Sequence, residues 1–509
     1  AGLRFDLPTY PDPLPEHPII SDLTFGENTY STATLPQTKL MLSPRIGFNY
    51  DVSWDRKYVV RGGTGIFTGR VPFVWIVSQA GDAGMLQTTQ TYSAGVGTGV
   101  PGPFSPEVNA YYPDTQPEAG TIVPGTFTII SDNFKMPQSW KSSIAFDAKL
   151  PWGLKGTIEG IYNKDINTAF FVNEGLTPPN NMVLDDYPDN RMIYENANVD
   201  KYYNTQTNGV ITPGTGSGVS PIVLENRKGG YYWSATAKIE KIFSKGFAGM
   251  IAYTHSEARN LVDGSGDQAA SAWNGNANVN GANNPELSYA SYVTPNKIIS
   301  SVSYRIEYLK SMGTSISVFY EGGSTGRFSY VYSANTVRDG AGSNNLIYIP
   351  KDPTEITFVN RTVNTFVWTA QAQSDAFFAY IEQDKYLSSR KGMYAERNGA
   401  KMPWRNQFDV KLMQDFFVNV GGKRNTIQVS LDILNFANLL SKHWGLQQSY
   451  RQGNILTQSN VSSIVAGGTV KPTYQLNPYN NTMLTTTFTN NVNYVSTYSM
   501  QLGIRYIFN

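Results

Sequence analysis

Along the last stretch of the chain Met500, Leu502, Ile504, Tyr506 and Phe508 share one parity, and Gln501, Gly503, Arg505 and Asn509 the other. Successive side chains of an extended backbone point to opposite sides, so a period of two predicts a strand with one apolar and one polar face. Ile507 is the exception. The pattern recurs in pairs joined by short polar turns. Ile46 to Val52 turns at 53–57 and returns over 58–69, and Ile144 to Leu150 turns at Pro151, Trp152 and Gly153 into Leu154 to Tyr162. Trp233 to Glu240 turns at 244–246 into Phe247 to Tyr253, and Ile298 to Tyr308 turns at 309–313 into Ile316 to Tyr320. Phe408 to Phe416 turns at 419–423 into Ile427 to Ile433. Five hairpins, the terminal strand and a half strand over residues 1–7 predict about 12 strands.

Between the hairpins run stretches rich in Gly, Asn, Ser, Thr, Pro and Tyr, at 9–40, 71–137, 166–220, 259–295, 335–402 and 438–495. Loops this long are rare in compact soluble domains. Outer-membrane barrels, in contrast, alternate tight periplasmic turns with long extracellular loops. A strand of about 13 residues, tilted by about 40°, rises roughly 33 Å and crosses an apolar band of about 25 Å. A soluble sandwich or propeller is the alternative, because any sheet with one wet face alternates. The charged residues favour the barrel: Asp409, Lys411, Asp415, Lys238 and Glu240 lie on the parity opposite to their apolar neighbours, as a water-filled lumen requires. The expected fold is an all-β transmembrane antiparallel barrel in the bacterial outer membrane. Residues 1–509 then form one barrel portion, with the tight turns periplasmic and the six long loops extracellular. An even strand number permits a self-contained barrel, whereas the half strand at the start favours part of a larger one.

Composition narrows the function. Of 509 residues, 16% are charged, against about 25% in soluble domains, and no apolar run approaches the roughly 18 residues of a membrane helix. A net charge of +1 removes the electrostatic basis for nucleic-acid binding. With no Cys and only His17, His255 and His443, far apart in sequence, there is little material for a transition-metal site. No Gly-x-Ser-x-Gly elbow, P-loop or HExxH pattern occurs, so no catalytic residue, resident cofactor or enzyme activity is expected.

Two acidic clusters have the oxygen-rich character that calcium takes: Asp185, Asp186 and Asp189, and the run from Asp263 to Asp267. Neither completes a twelve-residue loop, and Asp with Gly is equally ordinary turn chemistry. Aromatic side chains are the stronger candidates for substrate contact: Tyr111, Tyr112, Tyr330, Tyr332, Phe377 and Phe378, with Tyr202, Tyr203, Phe328 and Tyr380 beside them. Flat rings stack on sugars and peptides at low entropic cost. The competing reading is interfacial or loop packing. Residues 328, 330 and 332 alternate, so they should share one fate. His255 continues the apolar parity of its strand and is expected at the outer interface.

The segment Tyr498 to Asn509 looks like the barrel-assembly signal of outer-membrane proteins, with Ile504, Tyr506 and Phe508 as its apolar positions and Asn509 after the usual final aromatic. Asn345-Leu-Ile-Tyr-Ile-Pro-Lys-Asp352, Tyr394-Ala-Glu-Arg-Asn-Gly-Ala400, Pro403-Trp-Arg-Asn-Gln-Phe-Asp-Val410 and Leu434-Asn-Phe-Ala-Asn438 resemble the C-terminal barrel region of TonB-dependent receptors, particularly the Oar-like group related to SusC. Ser43-Pro-Arg-Ile-Gly-Phe48 and Arg61-Gly-Gly-Thr-Gly-Ile-Phe67 fit the same family. The resemblance implies a barrel of about 22 strands around a globular plug, with cargo captured by outer loops and import driven through TonB. This chain would hold about the last 12 strands. The plug, the TonB box and the N-terminal barrel strands would come from another chain or a preceding part of this one. The implied partners are outer-membrane lipid, the plug and its strands, TonB through the plug, and a surface lipoprotein. The implied function is import of a large nutrient, whether peptide, glycan or chelate. A scaffolding barrel subunit, and a self-contained 12-strand pore or enzyme, are the alternatives.

Overall fold

The computed structural model describes every residue except 11–12, 88–101, 113–114, 116, 183, 185–186, 264–265 and 509. Twelve strands follow one another in chain order across a single antiparallel path. They are β1 (Gly2–Asp6), β2 (Met41–Asp51), β3 (Tyr58–Thr68), β4 (Gln138–Leu150), β5 (Leu154–Asn173) and β6 (Tyr231–Ser244). The path continues with β7 (Phe247–Asn260), β8 (Asn296–Tyr308), β9 (Met312–Ser324), β10 (Trp404–Val420), β11 (Lys423–Leu434) and β12 (Ser499–Phe508). All five expected hairpins and the terminal strand are present. Two turns are tighter than the sequence suggested, 309–311 in place of 309–313 and Gly421-Gly422 in place of 419–423, because the strands pair up to Tyr308↔Met312 and Val420↔Lys423.

Positive backbone angles explain this tightness, as at Leu309 and Lys310 with φ of 51° and 54°. Gly421 and Gly422 both take positive φ, 60° and 78°, as do Lys245 and Gly246 at 51° and 84°. Turns with two positive φ values match the right-handed twist of the strands they join. A β-branched residue is poorly tolerated there, so Gly421→Val is expected to destabilise the sheet by about 1–2 kcal/mol. The urea midpoint for unfolding from detergent should fall; an unchanged midpoint would mean that the turn relaxes without strain.

The strand faces separate as the alternation requires. Ile46, Phe48 and Tyr50 on β2, Val302, Tyr304 and Ile306 on β8, and Leu502, Ile504, Tyr506 and Phe508 on β12 all remain exposed on one side. Paired positions agree across strands: Val302 lies opposite Val318, Leu412 opposite Leu431 and Val429 opposite Ile504. This is a continuous apolar belt. The opposite face carries the charged residues. The twelve-strand path is open: among the described residues the outer edges of β1 and β12 have no strand partner.

At the end away from the tight turns, the long connections fold into a layer rather than irregular loops. β5 runs on for 20 residues, and its far end pairs with Ser220–Arg227, which in turn pairs in parallel with Thr126–Ile130. Helix α1 (Ala370–Gln383) starts at Thr369, whose side chain accepts a hydrogen bond from the backbone of Ala372, and buries Gln373, Phe377, Tyr380 and Ile381. Those positions fall on one face of a helix. The connections hold enough Tyr, Phe, Ile and Leu to bury a core of their own, built from residues between Val279 and Leu484. Each fully buried aromatic or aliphatic side chain there contributes about 1.5–3 kcal/mol.

Candidate functional site

Three levels stack along the molecule. The lowest is the charged inner face of the sheet. Arg61 bridges Asp147 at 3.0 Å and Glu159 at 3.1 Å, and Lys238 meets Glu240 at 2.8 Å. A second group joins Arg305 to Asp415 at 2.7 Å, Arg424 to Glu307 at 3.0 Å and Lys411 to Asp432 at 2.8 Å. The exposed pairs among these, such as Arg424 with Glu307, contribute only about 0.2–1 kcal/mol each. Their consequence is a wall of alternating charge that water or a polar body wets and lipid does not.

The second level is the aromatic core of the loop layer. Phe328, Tyr330 and Tyr332 share one fate, as their alternation implies, and all three are buried. Tyr330, Tyr332 and Phe377 are brought together in one cluster, with Phe378 packed at its edge, 5.6 Å from the Phe377 ring centroid. Expected as contacts for substrate, these four are occupied with packing as the loops stand, because the neighbouring loops cover the ring faces. Tyr330 donates to Asp384 at 2.7 Å, and Thr487 donates to the same carboxylate at 2.6 Å. Asp384 also accepts from the backbone of Tyr386 and Leu387, capping the short helix Lys385–Ser388. Burial pushes the Tyr330 hydroxyl well above its ordinary pKa, so it stays a donor. Tyr111 and Tyr112 are exposed in a separate connection. Tyr202 packs on a second core and Tyr203 is exposed.

A buried ion pair ties this layer together. Arg191 and Asp189 are 2.9 Å apart with side chains each 2% exposed. Tyr394 donates to Asp189 at 2.8 Å, while Arg191 donates to Thr336 at 3.2 Å and to the Leu346 carbonyl at 3.1 Å. The guanidinium lies 5.0 Å from the ring of Tyr332 and 5.4 Å from that of Tyr394. Burial alone would lower the Arg191 pKa, but Asp189, with Tyr332 and Tyr474, offsets it and leaves it raised.

The acidic clusters take other roles. Asp185 and Asp186 lie outside the described residues, and Asp189 is engaged by Arg191 and Tyr394. Asp263 accepts from Asn260, from the backbone of Ser291 and from Asn398, and Asp267 is exposed. Among the described residues no group of three or more His, Cys, Asp or Glu is placed to hold a metal ion. His255 sits at the upper end of β7, 2.9 Å from Asn296 and 5.2 Å from the Trp233 ring. Ile504, Tyr506 and Phe508 project outward from the edge strand, and Asn509 lies outside the described residues.

The third level is a cavity of about 590 Å³ in the loop layer, where Asp263, 275–277, 327–331, 343–344, 397–398 and 450–454 converge. Its wall is polar, with Arg327, Arg397, Arg451, Asn276, Asn344 and Asn398, and a stacked pair, Phe328 and Tyr450, 4.4 Å apart at 5°. Arg397 is anchored by its guanidinium to the carbonyls of Leu261 and Asn260, both at 2.5 Å. Asn398, next in sequence, takes a left-handed φ of 53° and donates to Asp263 and to the Tyr289 carbonyl. Neither Arg327 nor Arg451 stood out in the sequence, and Arg397 entered only as part of the motif Tyr394-Ala-Glu-Arg-Asn-Gly-Ala400.

A family model described as outer membrane beta barrel domain matches residues 12–441. No curated protein matches the chain. Among solved structures, the outer membrane transporter YddB from Escherichia coli is similar with a TM-score of 0.39 and 10% identity, over 79% of this chain and 37% of that one. A mutant of the ferric enterobactin receptor PfeA from Pseudomonas aeruginosa is similar with a TM-score of 0.36 and 7% identity, over 92% of this chain and 40% of that one. The chain therefore spans less than half the length of either structure.

Proposed function

Because this chain belongs to the outer membrane beta barrel domain family, we propose that it is the barrel and capture layer of a TonB-dependent receptor of the Oar-like and SusC-related kind, importing a large nutrient. Its place is the outer membrane. The observation that carries the proposal is the pairing of an apolar outer belt and charged inner wall with a folded loop layer that holds an open polar cleft at one end. A sheet edge cannot stay open in hydrocarbon, where backbone groups find no water. The open edges of β1 and β12 therefore support further strands completing the wall, with a plug seated against the charged face. Loops would capture cargo, cargo would contact the plug apex, and TonB would remodel the plug; a surface lipoprotein would assist capture. The named groups bind and guide and make no new bond.

The test is uptake by cells lacking the protein and by complemented cells, using labelled peptides, oligosaccharides and metal chelates. Loss of uptake of one class, restored by complementation and abolished by a proton uncoupler, is the expected result. Unchanged uptake of every class, with stable co-purification of proteins that are not cargo, would replace this proposal with a scaffolding subunit.

A further inference from the structure

We infer that the cavity in the loop layer is a subsite for an oxyanion, a carboxylate or phosphate group carried by the cargo, held by Arg327 and Arg451 against the wall fixed by Arg397. The inference rests on reading the loop layer as the capture surface. It starts from unbalanced charge. Among the described residues neither Arg327 nor Arg451 has a carboxylate within ion-pair distance, and the one acidic residue on the wall, Asp263, is 3.9 Å from Arg397. Asp263 is further taken up by Asn398 at 2.5 Å, Asn260 at 3.1 Å and the backbone of Ser291 at 3.1 Å. The acidic groups that act on Arg327 from outside the wall are Glu257 and Glu396. Both are committed elsewhere, Glu257 to Arg259 at 3.2 Å and Glu396 to Arg390 at 3.0 Å.

Desolvation sharpens the imbalance. Burial lowers the pKa of both Arg327 and Arg397, so their charged forms stand in an environment that disfavours them until a counter-anion arrives. The donors are also held in place before any ligand binds. Arg327 lies 4.2 Å over the ring of Tyr289 and donates one Nη1 hydrogen bond to the Asn398 carbonyl at 3.1 Å. Arg451 lies 5.3 Å from the ring of Tyr479 and donates through Nε to Thr486 at 3.2 Å. A planar guanidinium fixed by stacking offers paired N–H groups that match the spacing of carboxylate and phosphate oxygens. The amides of Asn276 and Asn344 on the same wall are engaged by Asp263, Ala272 and Asn274 and line the cavity as fixed polar surface, which leaves the arginines as its anion donors.

The test is isothermal titration of the purified full chain in detergent with citrate, inorganic phosphate and neutral erythritol. Citrate or phosphate should bind and erythritol should not, and added salt should weaken binding. R327Q/R451Q should weaken anion binding by about tenfold or more, the loss of at least one charge-assisted pair. R451Q alone, which gives up only the exposed contacts to Thr486 and the Tyr479 ring, guards against a misfolded double variant and should weaken binding in the same direction. D263N should tighten binding several-fold by removing the wall's one negative charge. Tighter binding of phosphate than of citrate would identify a phosphorylated cargo, and the reverse a carboxylated one. Equal binding of erythritol and the anions, or unchanged affinity in R327Q/R451Q, would overturn the subsite. If anions bind but cells lacking the protein import normally, the subsite stands and the transport reading falls. If uptake depends on the protein while the cavity ignores both anions, the subsite falls and transport stands.

Discussion

Replacing Arg191 with methionine is expected to loosen the loop layer by about 3–5 kcal/mol, the usual loss when one partner of a buried ion pair is removed. The size of the effect comes from what remains. Asp189 would keep its buried carboxylate with only neutral donors, the Tyr394 hydroxyl and the backbone N–H of residue 191, and Thr336 and the Leu346 carbonyl would lose theirs. The stack of Tyr332 and Tyr394 around the guanidinium would also open. These contacts join the connection after β5 to the connection between β9 and β10. The disturbance should therefore appear as faster amide exchange and proteolysis across 325–403, with the strands unaffected. D189L/R191M, which removes both charges, should recover most of the lost protection, because neither variant side chain then leaves a charge in the interior. Wild-type exchange rates in R191M would show that the pair does not hold the layer.

The contrast between strands and loop layer explains what the sequence made legible. A strand between lipid and water must present alternate apolar and polar residues, so Met500 to Phe508 or Ile46 to Val52 declare their faces residue by residue. Turn chemistry was equally local, as in Pro151-Trp152-Gly153 and Gly421-Gly422. The loop layer follows no such period. Its order comes from contacts between distant residues: Tyr330 with Asp384 and Thr487, Arg191 with Leu346, Arg397 with Asn260. Aromatic residues at 328, 330, 332 and 377 read as ligand contacts because their burial depends on other segments of the loop layer, as Phe328 on Tyr450, Tyr332 on Tyr474 and Phe377 on Phe358. Helix α1 was missed although Gln373, Phe377, Tyr380 and Ile381 have helical spacing, since a Gln and a Tyr on that face blur the stripe. The short motifs behind the family resemblance turn out to be backbone chemistry: Asn435 and Asn398 both take left-handed φ, and Asn345 accepts from Thr336 and from the Val337 backbone. In this chain they close loops through the backbone, which bears on a fold and not on a cargo.

The orientation of the sheet yields the second large effect, which needs no knowledge of cargo. Val302 stands midway along β8 on the exposed apolar face, and Ser303 beside it faces the charged wall. An arginine on the lipid face near the midplane of a barrel is destabilising by about 2–4 kcal/mol, whereas the same residue on a wet lumen face is tolerated. V302R should therefore lower the urea midpoint of protein folded into vesicles and the fraction that migrates as folded on unheated gels, while S303R should leave both close to wild type. Neighbouring strands add no compensation: Val302 faces Gly249 on β7 and Val318 on β9, neither of which offers an acceptor side chain. Its long side chain would have to reach a headgroup region from the middle of the strand, which is the geometry least able to do so. A tolerated V302R together with a damaging S303R would invert the two faces, and the inner wall of paired charges would then have to be the outer surface, in contact with lipid.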